Sequence, residues 1–121
     1  MSTTTSKLAA FDVSNAMLLL WQRASDRMTE DELNWFAEGA PELVQLQAEY
    51  ISNITQGLGC LIGNDDSSGA LSERHDVSAI LWSISHQVGV LGALTNVARD
   101  AGFLAQHKKQ AKTKGGRASA G

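Results

Sequence analysis

Between Ser72 and Ala101 the chain reads SERHDVSAILWSISHQVGVLGALTNVARDA, and the spacing of its apolar residues decides the fold class. Val77, Leu81, Ile84, Val88, Leu91, Thr95 and Ala98 recur in steps of four and three, so they share one face of an α-helix, and Ile80, Leu94 and Val97 widen that face. Ser72 is a residue type that caps helix starts, and Gly102 suits a helix end. Such a helix spans roughly 45 Å. Its stripe is wide enough to serve an internal core and a partner together.

Upstream, residues 63–69 (GNDDSSG) favour a turn. Before them Leu43, Val44, Gln47, Ile51, Ile54, Leu58 and Leu61 form a near-heptad pattern, read as a helix of roughly 20 residues with Pro41 in its first turn. Thr29 followed by Glu30, Asp31 and Glu32 marks another start. The Thr hydroxyl can accept from an orphan N–H, Glu32 can reach back, and the acids favour the positive end of the helix dipole. That short helix carries Leu33, Trp35 and Phe36 and is expected to stop at Glu38-Gly39-Ala40, with Gly39 in the left-handed closing position. Val13, Met17, Leu20, Trp21, Ala24 and Met28 outline a first helix.

The expected fold is therefore all-α: a small antiparallel bundle of three long helices plus one short helix, the small crossing angle following from the heptad-like stripes. Residues 1–6 read as a flexible start, 7–104 as the domain and 105–121 as a disordered basic tail. Gly59 with Gly63, and Ser85 with Gly89 and Ala93, set small residues about one turn apart, which permits close helix contact.

Composition agrees with one helical domain. The chain has 121 residues, 43% of them hydrophobic, enough to bury a core without disulfides or metal, and runs of β-branched alternation are absent. The lone Cys60 excludes an intramolecular disulfide, reads as a small buried apolar side chain, and fits a reducing, cytoplasmic setting. The N-terminus lacks the pattern of a signal peptide, and no apolar stretch is expected to approach the ~18 residues of a membrane span. Net charge is −3, yet five of the ten cations follow His107 without an acid. The remaining five stand against thirteen acids, so a −8 body carries a +5 tail.

Candidate chemistry is sparse. Asn64 to His75 places oxygens, Gly69 and Leu71 as an EF-hand loop would, but His75 stands where a bidentate glutamate is needed, so a polar turn explains the stretch better than calcium. His75 and His86 are roughly 16 Å apart along one helix and cannot share a metal; His86 reads as a core or interface residue. Cys60 has no ligand or base at useful spacing, and Gly57-Leu-Gly59 has no preceding strand to make a phosphate loop. The segment from Glu30 to Leu61 has the outline of a helix-turn-helix. Its second helix, however, contains Glu42 and Glu49 and no cation, which opposes insertion into a DNA groove. Trp21, Trp35 and Trp82 read as core or interface filling.

No catalytic, cofactor-binding or metal-ligating residue is assigned. The leading expectation is a non-enzymatic interaction or regulatory protein forming a homodimer through Val77, Leu81, Ile84, Val88 and Leu91. A nucleic-acid accessory protein, binding polyanions through Lys108, Lys109, Lys112, Lys114 and Arg117, is the alternative. An enzyme or ligand carrier within the bundle is a third class.

Overall fold

A computed structural model describes residues 8–64 and 74–119. These residues form α1 (Val13–Ala24), a 3-10 turn (Ser25–Arg27), α2 (Glu30–Asn64) and α3 (Arg74–Ser119), with no strand among them. The expected Ser72 cap, most of the 63–69 turn, the calcium-like ligands after Asn64 and the flexible 1–6 segment lie outside the described residues.

Local sequence sets the helix starts. Asp12 is extended, and its carboxylate accepts from the Asn15 backbone N–H at 2.7 Å, satisfying an orphan donor of α1. At α2 the Thr29 hydroxyl oxygen accepts from the Glu32 N–H at 3.1 Å. In return, the Thr29 N–H and hydroxyl donate to the Glu32 carboxylate at 3.2 and 2.9 Å. This reciprocal cap holds the Glu32 carboxyl below its ordinary value, chiefly through the Thr29 backbone N–H, then its hydroxyl, with the charge of Lys108 adding to both.

Two expected boundaries are corrected. Gly39 and Pro41 do not divide a short helix from a long one, because α2 runs through both. Proline removes one backbone donor and Gly39 adds a modest cost. Against that, the seam of Ala37, Ala40, Val44, Gln47 and Ile51 continues on both sides of Pro41, with Ala40 buried and the rest half-buried. Ala37, Pro41 and Val44 line one cavity with Thr95 and Ala98 of α3, so both halves of α2 hold the same neighbour.

Nor does Gly102 end the last helix or leave a disordered tail, since α3 continues to Ser119. Gly102 faces Ala37, whose Cβ is 3.9 Å from the place a Gly102 Cβ would take. Ala101 and Ala105 on either side are buried in the core. Farther on, Lys108 Nζ donates to the Met28 carbonyl, and Lys112 Nζ meets Glu30 at 3.1 Å. Ala, Gln and Lys are strong helix formers, so a segment that reads as too polar to bury can still extend a helix already anchored upstream.

Contacts between α2 and α3 run in opposite order: Glu30 meets Lys112, Ala37 lies by Gly102, and Ile51 lines a groove with Val90. The core sits at one end, formed by Trp21, Leu33, Val97, Ala101 and Ala105, with Leu18, Met28, Phe36 and Leu104 packed against it. Trp21 meets Phe36 edge-on at 5.3 Å, and its indole N–H donates to the Asp100 carboxylate at 3.4 Å. This bond anchors α1 to α3.

Candidate interaction surface

α1 has 12 residues, against 35 in α2 and 46 in α3. The two long helices therefore extend well past the short one. Ser14, near the start of α1, lies against Gly89, where its hydroxyl oxygen would come within 2.9 Å of an added Cβ. The first turns of α3, before His86, project beyond α1.

Exposure follows that geometry. On α2, Phe36, Leu43 and Tyr50 are seven apart, and Ile54 and Leu61 continue the ridge at steps of four and seven. Phe36 packs against Trp21, whereas Leu43, Tyr50, Ile54 and Leu61 are 45%, 50%, 54% and 62% exposed. On α3, Trp82, Gly89, Ala93 and Asp100 share a ridge by the same spacing. Ala93 is buried, Asp100 holds Trp21, and Trp82, beyond α1, is 70% exposed. A groove of about 340 Å³ opens at the start of α1 between the long helices, lined by Val13, Ser14, Leu43, Ile51, His86 and Leu94.

Charge is absent from this region. Tyr50 to Asn64 and Val77 to Ala98 contain no Asp, Glu, Lys or Arg. The expectation that no stretch could match a membrane span is corrected accordingly: within Val77–Gly116, α3 is long and apolar enough to cross a bilayer by length and composition. Its Ser, Gln and Thr residues interrupt any purely apolar run but lower the mean hydropathy only modestly.

The five residues expected as an interface are split. Val77, Ile84 and Leu91, seven apart, are half-buried, while Leu81 and Val88 are exposed on another flank. Trp82, Tyr50, Ile54 and Leu61 are exposed apolar side chains on the two ridges that pass α1. The Phe36-Leu43-Tyr50 heptad could have revealed part of this set. Cys60 is exposed rather than buried, because among the described residues α2 has α3 as its single neighbour at that level. Trp21 alone among the tryptophans joins the core; Trp35 is exposed and rests edge-on against Phe36 at 4.9 Å. His86 is exposed at the groove.

The basic segment is partly engaged by the body. Lys108 and Lys112 contact Met28 and Glu30. Lys109 and Lys114 line an open polar cleft of about 970 Å³ together with Glu30 and Glu38, so acids share that surface with the cations. Arg117 lies in α3. Among the described residues no three His, Cys, Asp or Glu side chains are placed to share a metal ion.

The chain was compared with family models, curated proteins and solved structures, and none of them matches it.

Proposed function

We propose that the protein is a non-enzymatic interaction module, an antiparallel helical bundle that self-associates through the uncovered parts of its long helices. One observation carries the reading: Tyr50, Ile54, Leu61 and Trp82 are 50%, 54%, 62% and 70% exposed on stretches of α2 and α3 that hold no Asp, Glu, Lys or Arg, and contiguous exposed apolar surface of this kind marks an association site.

A lipid bilayer is the competing cover for α3. It fits less well because α2 lies alongside, and Gln45, Gln47, Glu49, Asn53 and Gln56 would enter hydrocarbon with it. Asp65, Asp66 and Glu73, between the helices, would have to cross as well. A protein partner in an aqueous, cytoplasmic setting asks none of this. The lysines are a weaker basis for function, since Lys108 and Lys112 already hold groups of the body.

Size-exclusion chromatography with light scattering, run in detergent-free buffer at low and high salt, tests the reading. The expected result is a dimer at both salts with the absorbance of protein alone. A monomer at all attainable concentrations overturns it. Nucleic acid that co-elutes at low salt and leaves at high salt would transfer the function to Lys108, Lys109, Lys112, Lys114 and Arg117.

A further inference from the structure

α1 occupies the near part of a helix seat formed by the Phe36-Leu43-Tyr50 ridge of α2 and the Gly89-Ala93-Asp100 ridge of α3. Both ridges continue past Val13, where α1 begins, and the rest of the seat is bordered by Tyr50, Ile54, Leu61 and Trp82. This chain's own N-terminal residues supply little to cover it. Leu8 and Phe11 are 73% and 93% exposed, and residues 1–6 are MSTTTS, with Met1 their one apolar side chain.

We propose that the open seat receives the same segment of a second copy, residues 50–62 and 77–88, across a two-fold axis, giving a four-helix cluster beyond the start of α1. The proposal rests on the self-association reading above and names its surface. A two-fold contact brings groups near the axis against their own copies, so a charge there opposes itself. A surface with no charge from Tyr50 to Asn64 or from Val77 to Ala98 avoids that conflict. A different partner protein is commonly selected by complementary charge, which this surface does not offer. Trp and Tyr, which Trp82 and Tyr50 supply here, are among the side chains that most often dominate interface energy.

Full-length Trp82→Glu and Tyr50→Glu test the seat. Leu81→Glu, about 100° round the helix from Trp82, is the control. All three positions are exposed in the single chain, so helix content by circular dichroism should remain that of the parent. Light scattering across a dilution series should show Trp82→Glu and Tyr50→Glu weakening the dimer by about thirtyfold or more, with Leu81→Glu close to wild type. Dimerisation that survives both seat variants overturns the assignment while leaving self-association intact, and loss only in Leu81→Glu moves the interface to the other flank. A wild-type protein that is monomeric throughout overturns both proposals.

Discussion

The two ends of this molecule are built from the same kinds of residue and end in opposite states. At the core end α1, α2 and α3 meet, and Leu33 is wholly buried among Trp21, Val97, Ala101 and Ala105. Toward the 64–74 connection α2 and α3 are the elements that remain among the described residues, and Ile54, Leu61 and Trp82 are more than half exposed. Apolar side chains alone do not make a core. A pair of helices can bury one stripe from each, and a third element is needed to close the sides.

The largest expected effect contrasts equal truncations at the two ends. Leu33→Ala should cost about 3 kcal/mol, within the usual range for a buried Leu. Ile54→Ala, measured in dilute protein, should cost about 1 kcal/mol or less, because much of the side chain is already in water. Denaturant unfolding of both variants checks this. Equal losses would mean that the distal end is as well packed in the single chain as the core.

Much of this contrast was legible in the sequence, though not its position. The α3 stripe, the α1 start and the Thr29–Glu32 cap each follow from local chemistry: a repeat of three and four, and side chains able to satisfy orphan N–H groups. The boundaries at Gly39-Pro41 and Gly102 were missed because a local breaker was weighed without the neighbour that holds both sides of it. Ala40 beside Pro41, and Ala101 and Ala105 around Gly102, are small side chains that carry little apolar signal yet are buried by α3 and by the core. The five residues expected as an interface divide for a related reason. Residues seven apart, such as Val77, Ile84 and Leu91, face inward as a set, and periodicity does not say which of two adjacent stripes meets the partner helix.

A smaller effect belongs to the cap at the core end. Thr29→Ala should cost about 1 kcal/mol at neutral pH. Because the folded Glu32 carboxyl lies below its ordinary value, its contribution is present above the unfolded value and disappears as pH falls through the folded one. The stability difference between wild type and Thr29→Ala should therefore narrow on acidification below the usual carboxylate range. Thermal unfolding at a series of pH values reads it, and a gap that widens with acid would contradict the assigned cap.

Hydrogen exchange followed over a range of protein concentrations tests the central claim most directly. If a second copy covers the open seat, amides in residues 50–62 and 77–88 should gain protection as concentration rises. Those around Leu33 and Ala101 should change much less. Protection that is independent of concentration in 50–62 and 77–88, or that rises only around the core, would contradict it.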